Sequence, residues 1–356
     1  MNKILISINS IEDNNGGGMY LISLIKQLPD IQFVICKQTK NPYSELSNKK
    51  IYFLNKNLIT DFISRILLFP TYVGFYSFFL IIKSMKMEEV YLHNTRLLPL
   101  GLLLKIIGKK VYIIHDNHES ALVFQQWRLN KFNLVRLFDF FLLIVYEKFF
   151  VSIFSESIVI EKNLINTYGL KNSRILPYKH LKSNWKPNKL DYKSNIKKIL
   201  FVGSFDFEPN KEALLELDEL SINFKDIRIT AAGRKETLLL DEKKISNIQT
   251  IFNPSRKELN NLFYDSDIFL SLLKHGSGQK IKIAEALSHN MWIIATTCSL
   301  NGFEHGIIPT VFEIDDNYRK KDIIHIIKSI NQFSNSKKEI LKNKSWDIIK
   351  EKYLIK

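Results

Sequence analysis

Cysteine is almost missing. Cys36 and Cys298 are the two in 356 residues, with no Cys-x-x-Cys pair and no histidine at zinc-ligand spacing around either. A structural zinc, a redox dithiol and a disulfide scaffold are thereby excluded as organising features, and two buried apolar thiols in a reducing compartment are expected. Acidic residues are in deficit: 36 Asp and Glu face 51 Lys and Arg, a net charge of +15. Such an excess points to nucleic acid, an anionic membrane or a phosphorylated substrate. No RNP, zinc-finger or helix-turn-helix signature accompanies it, which argues against nucleic acid.

A long apolar run is lacking too. Between Arg65 and Lys83 lie 17 uncharged residues, interrupted by Pro70, Gly74 and Ser77, where a spanning helix needs about 20. The Phe-rich stretch 132–154 carries Arg136, Asp139, Glu147 and Lys148. Both stretches read as amphipathic helices, lying against a core or on a bilayer surface. At the start, Ile4–Ile8 is preceded by one charge and followed by Glu12 and Asp13, which reads as a buried first strand and not a signal peptide.

What is present is the composition of an ordinary globular protein, 46% hydrophobic and 24% charged, in a length that suits about two domains. Strand-like and helix-like runs alternate. Ile4–Ile8 is a strand, and Leu21, Leu24, Ile25 and Leu28 follow at helical spacing. Val90–His93, Val111–His115, Phe149–Phe154 and Arg174–Pro177 read as strands, with a helix over Leu97–Ile107. Residues 179–198 hold seven lysines, one aspartate and Pro187 and read as an inter-domain linker. The alternation then restarts: strands at Ile199–Val202, Ile227–Ala232, Asp267–Leu272 and Trp292–Thr296, helices over Pro209–Leu220, Gln279–Ser288 and Asp322–Ile330. Ser255-Arg256-Lys257-Glu258 is a capping box that opens a helix to Tyr264, and Lys337–Tyr353 is a basic last helix. The pattern predicts an α/β chain of two doubly wound parallel sheets.

Ligands of such folds bind at the carboxyl ends of the strands, and three segments there carry chemistry. Asn14-Asn15-Gly16-Gly17-Gly18 lets backbone N–H groups approach a ligand at a helix N-terminus; a plain turn is the simpler alternative. Asp116-Asn117-His118-Glu119 follows a buried strand, where ionisable groups suit catalysis or acceptor binding. Helix capping with a hydrogen-bonded His118 is its bland alternative. His115 more naturally orients the loop, and His93 is a third choice. Gly276-Ser277-Gly278-Gln279-Lys280-Ile281-Lys282-Ile283-Ala284-Glu285-Ala286-Leu287 opens a helix with glycines, two lysines and a carboxylate. Amides and lysines suit a diphosphate, and Glu285, on one face with Lys282, suits ribose hydroxyls.

This last run resembles the Gly-x-Gly-x-Arg-x-Lys-x-x-Glu-Ala-Leu segment of GT-B glycosyltransferases, specifically the large retaining family 4. Further blocks match in order: Gly16 to Gly18, Lys110-Val111 through Asp116-x-His118-Glu119, Ile199 to Ser204 with Pro209-Asn210 and Ala213-Leu214, and Trp346 in the last helix. The resemblance implies two Rossmann-like domains facing a central cleft: residues 1–180 on the acceptor side, a linker 181–198, a nucleotide-sugar domain 199–330, and a C-terminal helix 331–356 crossing back. Glu285 would hold ribose hydroxyls, Lys280 and Lys282 with the Ser277 and Gly278 amides the leaving diphosphate, and His118 the sugar or acceptor. Gly16, Gly17, Gly18, Gly203 and Lys211 would contact the donor, and Asp116 and Glu119 the acceptor. No metal and no cofactor is implied, the nucleotide-diphosphate sugar being a co-substrate.

There are departures. The family's paired-glutamate motif has a second glutamate eight residues before Glu285, and Ser277 stands there. Ser204 replaces a frequent basic residue, and Lys280 replaces an arginine, which keeps charge but loses bidentate geometry. The reading favoured is a retaining transferase that extends a lipid-linked surface glycan. It would work in the cytoplasm, at the inner face of the cytoplasmic membrane, held by the lysine-rich linker and last helix together with the Phe-rich segments. A GT-B sugar-nucleotide epimerase and a non-catalytic GT-B-like partner subunit are the alternatives.

Overall fold

A computed structural model describes residues 2–12, 16–40, 42–43, 46, 48–129, 133–154, 156–181, 195–205, 207–224, 226–235, 247–275 and 278–355. Asn14, Asn15, Gly276, Ser277 and most of the lysine linker lie outside the described residues. The chain divides into two compact units, Met1–Tyr178 and Lys179–Lys356.

The first unit runs β1 (Lys3–Ser10), α1 (Gly16–Gln27), β2 (Ile31–Lys37), β3 (Lys50–Leu54), α2 (Leu58–Ile66), α3 (Ser77–Met85), β4 (Glu89–His93), α4 (Leu98–Ile106), β5 (Lys110–His115), α5 (Glu119–Leu129), α6 (Leu134–Phe149), β6 (Ser157–Val159), α7 (Asn163–Tyr168) and β7 (Ser173–Ile175). Among the described residues its sheet has seven strands in the order β3-β2-β1-β4-β5-β6-β7. All of their pairings are parallel. Ile4, Leu5 and Ile6 are buried, as are Val90, Leu92, Ile113 and Ile114. Strands covered on both faces need such continuous apolar runs.

The second unit runs β8 (His180–Leu181), β9 (Lys198–Val202), α8 (Glu208–Ser221), β10 (Arg228–Gly233), β11 (Gln249–Phe252), α9 (Arg256–Asp265), β12 (Ile268–Ser271), α10 (Ile281–Ser288), β13 (Trp292–Thr296), α11 (Thr297–Leu300), β14 (Val311–Ile314), α12 (Lys320–Gln332), α13 (Asn335–Lys352) and β15 (Leu354–Ile355). Its main sheet has the order β11-β10-β9-β12-β13-β14, and β15 pairs with β8. Leu200, Ala231, Phe269 and Ile294 are buried in it, with Phe263, Leu214 and Ile327 from the helices. In both sheets the chain starts in the middle, so the strand order reverses between β1 and β4 and between β9 and β12. A reversal of that kind opens a crevice at the carboxyl ends of the strands.

The expected α/β class and parallel sheets are present, and several elements need correcting. Phe149–Phe154 is not a strand: α6 reaches Phe149 and a 3-10 turn follows at Val151–Ile153, the strand being Ser157–Val159. A short apolar run does not separate strand from helix end by periodicity alone. The stretch 66–82 is broken into the end of α2, a 3-10 turn at Tyr72–Tyr76 and α3. No helix among the described residues is long and apolar enough to cross a membrane. Strands β2, β3, β8, β11, β14 and β15 went unrecognised. Helix α1 starts at Gly16, so the three glycines form its first turn and not a loop before it. Helix α10 starts at Ile281, with Lys280 as its N-cap residue. Cys36 and Cys298 are free and buried, as expected.

The last helix turns part of its charge inward. Lys338 and Lys342 of α13 are buried; Lys342 donates to the Asn290 carbonyl and lies 5.0 Å from the Trp292 ring centroid. Burial lowers its pKa to about 7.

Candidate active site

In the second unit the chemistry gathers around Glu285. Helix α10 buries Ile283, Ala284, Ala286 and Leu287, and with them the Glu285 carboxylate, which is 0% exposed. A buried charge must be paired. Lys282, one turn back on the same helix, places its Nζ 2.8 Å from Glu285 Oε2. Arg256 donates to Oε1 from the first turn of α9. Burial alone would raise the Glu285 pKa, but Lys282 and Arg256 hold it well below the carboxylate range. Burial also lowers His180 to about 4, its imidazole lying within the field of Glu285. His289 Nδ1 is 2.9 Å from the Glu285 carbonyl, and its ring stacks on Phe263.

The segment leading into α10 is held from both ends. Ser271 Oγ donates to Ser299 Oγ at 2.9 Å, Thr296 Oγ1 to the Leu273 carbonyl at 2.5 Å, and Gln279 Nε2 to the Gly302 carbonyl at 3.1 Å. Gly278 has φ +76°, and Lys280 Nζ folds back onto its carbonyl at 2.8 Å. Ser277 lies outside the described residues. Gly203 directly follows β9, where a Cβ would come 2.7 Å from the Asn210 side chain, whose Nδ2 donates to the Ser204 carbonyl. Lys211 pairs with Glu208 at 3.2 Å on the surface of α8. The structure thus brings Lys282 and Glu285 into contact and leaves Lys211 in an ion pair of its own.

In the first unit the carboxyl ends of β4 and β5 carry a buried polar network. Asn94 stands at φ +103°, ψ 138°, a region that disfavours any residue with a Cβ. Its Nδ2 donates to Asp116 Oδ1 at 2.9 Å and to Glu119 Oε1 at 2.8 Å. Its Oδ1 accepts from the Arg96 N–H at 3.0 Å. Arg96 Nε donates to Glu119 Oε2 at 2.7 Å. His93 Nε2 is 3.5 Å from Asp116 Oδ2, and its Nδ1 shares a 2.9 Å hydrogen bond with Ser7 Oγ. His115 is bonded to Thr95, and burial lowers its pKa to about 4. Asp116 and Glu119 are therefore buried, leaving His118 as the solvent-facing ionisable group of the block. His118 Nε2 lies 3.3 Å from Glu147 Oε2, a contact that raises its pKa. Glu147 in turn accepts from the Ser120 N–H and the Tyr168 hydroxyl.

The first-turn glycines of α1 are fixed by packing. A Cβ on Gly17 would come 2.9 Å from the Asn9 amide, and one on Gly18 would come 2.2 Å from the Glu12 carbonyl. Gly16 is exposed.

Sequence reasoning missed Arg256, Asn94, Arg96 and Glu147. Arg256 carried a signal, since a cation in the first turn of a helix opposes the helix dipole and needs another reason to be there. No group of three or more His, Cys, Asp or Glu that could hold a metal ion occurs among the described residues. The Asp265-Ser266-Asp267 spacing lies at the amino end of β12, where Asp267 accepts from the Lys197 and Lys198 N–H groups.

Residues 196–319 match the family model described as glycosyl transferases group 1. No curated protein matches the sequence. Among solved structures, sucrose-phosphate synthase from Thermosynechococcus elongatus aligns with a TM-score of 0.70 at 12% identity, over 99% of this chain and 95% of that one. Anabaena HepE in complex with UDP-glucose aligns with a TM-score of 0.66 at 11% identity, over 99% and 95%. The trehalose-6-phosphate synthase OtsA aligns with a TM-score of 0.66 at 10% identity, over 98% and 95%. At these identities the likeness shows the fold, which is that of GT-B glycosyltransferases.

Proposed function

We propose that the protein is a retaining, metal-independent glycosyltransferase. It moves a sugar from a nucleotide-diphosphate sugar to a growing lipid-linked surface glycan at the inner face of the cytoplasmic membrane. The observation that carries the reading is the buried Glu285 carboxylate between Lys282 and Arg256, inside the segment that matches the group 1 model. HepE, of the same fold, is in complex with UDP-glucose in its own structure, which supports a nucleotide sugar as the donor class.

In this reading Glu285 accepts hydrogen bonds from ribose hydroxyls. Its ionised state is secured by the two cations, so it remains an acceptor throughout the neutral range. Lys282 and Arg256 also gain from it: a guanidinium has five donors, and Glu285 fixes the group while engaging only part of them. Charge builds on the diphosphate as the glycosidic bond breaks. Lys280, Lys282, Arg256 and the Gly278 backbone stabilise that charge, the usual source of electrostatic rate enhancement. His118 serves the sugar or the acceptor. Asn94, Asp116 and Glu119 hold the loop on which it stands, and Glu147 orients its ring.

A screen of UDP-, GDP- and dTDP-sugars by thermal unfolding tests the reading. A donor at about 100 times its Kd should raise the midpoint by about 5–10 °C, and transfer to an isolated glycolipid fraction should follow with that donor alone. No stabilisation by any of the three classes would overturn it.

A further inference from the structure

Three helices of the first unit are patterned inside out. On α6 the buried residues are Asp139, Leu143 and Glu147, while Phe141 is 59% exposed and Phe138 lies on the same side. On α2 the buried residues are Thr60 and Ser64, while Phe62 is 67% exposed and Ile66 shares its stripe. On α3, Ser84 is buried with Leu80, while Phe78 is 75% exposed and Ile82 follows one turn later. A surface helix ordinarily turns its apolar stripe to the core and its polar face to water. On α2 and α6 the inward polar groups are partnered: Arg65 forms a bidentate pair with Asp139, and Ser64 accepts from the Phe75 N–H and donates to the Thr60 carbonyl; Ser84 Oγ on α3 has no such bond. The phenylalanines are thus turned outward by design of the inner face, not by accident of a loose helix.

The stripes lie together. Arg65 and Asp139 tie α2 to α6, as does the Tyr146 hydroxyl on the Leu68 carbonyl, and the Ser64–Phe75 bond ties α2 to the turn that leads into α3. The β3-to-β4 and β5-to-β6 crossovers that hold these helices step the same way along the sheet, so the right-handed rule places them on one face.

We infer that this face is a docking surface for an anionic bilayer, with α2, α3 and α6 lying in the headgroup–acyl boundary. Charge selects the bilayer over a second copy of the chain. Residues 56–86 hold four cations and one acid. The ammonium of Lys83 lies over the Phe79 and Tyr52 rings and that of Lys148 over Phe149, so cation and aromatic surface are presented side by side. Lysine is depleted from the cores of protein–protein interfaces, whereas phenylalanine beside lysine is the composition of interfacial membrane helices. Of the last helix, Lys338 and Lys342 are buried and so contribute nothing to this address.

Co-sedimentation of the full chain with phosphatidylcholine vesicles containing about one-third phosphatidylglycerol, and with pure phosphatidylcholine, tests the assignment. Wild type should bind the anionic vesicles at least about tenfold more strongly than the neutral ones. The double variant Phe78→Asp, Phe141→Asp should lose at least about tenfold of that binding with its melting temperature and donor stabilisation unchanged, since neither residue touches the donor site. Unchanged vesicle binding by the variant, equal binding to neutral vesicles, or absence of binding with a dimeric or monomeric mass in light scattering would each overturn it. Vesicle binding is read without glycosyl transfer, so its failure leaves the activity reading standing.

Discussion

The two units share a sheet plan yet satisfy their buried carboxylates by different means. In the second, Glu285 meets two cations directly and is held firmly ionised. In the first, Asp116 and Glu119 share one amide, Asn94, and draw on His93 and Arg96 from the ends of neighbouring elements. The difference follows from how each site is built. A single helix can deliver Lys282 and Glu285 because residues three apart share a face. The first-unit network needs β1, β4, β5, α6 and α7 to be in place, and a strained backbone at its centre.

Substitution at Glu285 should separate the two kinds of site most sharply. Glu285→Ala leaves Arg256 and Lys282 without their shared partner, and removing one side of a buried ion pair costs about 3–5 kcal/mol. Transfer should fall by at least about 100-fold, and urea denaturation should show the lost stability. Glu285→Gln keeps the shape and should recover most of the stability but little of the activity. Wild-type turnover in both variants would break the assignment of the second unit as donor site.

Asn94 should show the intermediate effect. Asn94→Ala retains the unfavourable φ of +103° and strips the amide from two buried carboxylates, a cost of about 2–4 kcal/mol. Asn94→Gly relieves the backbone and loses the amide alone, so it should cost less than alanine. Urea midpoints decide between them, and a glycine variant less stable than the alanine one would show that backbone strain is not stored there.

The most gradual effect is one of pH and concerns Lys342. Its folded pKa, about 7, lies below the unfolded value near 10.5, so the unfolded chain binds more protons between those values. Stability should therefore rise as pH increases from about 7 towards 10, by up to about 1 kcal/mol per unit. Lys342→Met should flatten that rise and match or exceed wild-type stability at pH 7. A flat wild-type profile would mean that the ammonium is not desolvated in α13.

These contrasts also explain what could be read in the sequence. The strand-to-helix alternation and the Lys282–Glu285 spacing are local, and Trp292–Thr296 emerges as β13 with the expected bounds. The capping box at Ser255 is present, both of its hydrogen bonds included. Arg256 stood in plain view within that box, but its partner lies 29 residues on and only the packing of α9 beside α10 brings them together. Asn94, Arg96 and Glu147 offered even less, because their partners are 21 to 29 residues away on other elements and Asn94 needs a positive φ that no neighbouring residue announces. The inside-out helices were legible as amphipathic, but not as to which side faces in, for a related reason. A helix whose polar side faces the core has the same period as an ordinary one, and composition does not say which side is in.

The account rests on a donor held at Glu285, and calorimetric titration of the best-stabilising nucleotide sugar tests that most directly. Wild type should bind it, and folded Glu285→Gln should bind it at least about tenfold more weakly, the loss expected when a charged acceptor is removed from sugar hydroxyls. Equal affinity in the two proteins would contradict the account.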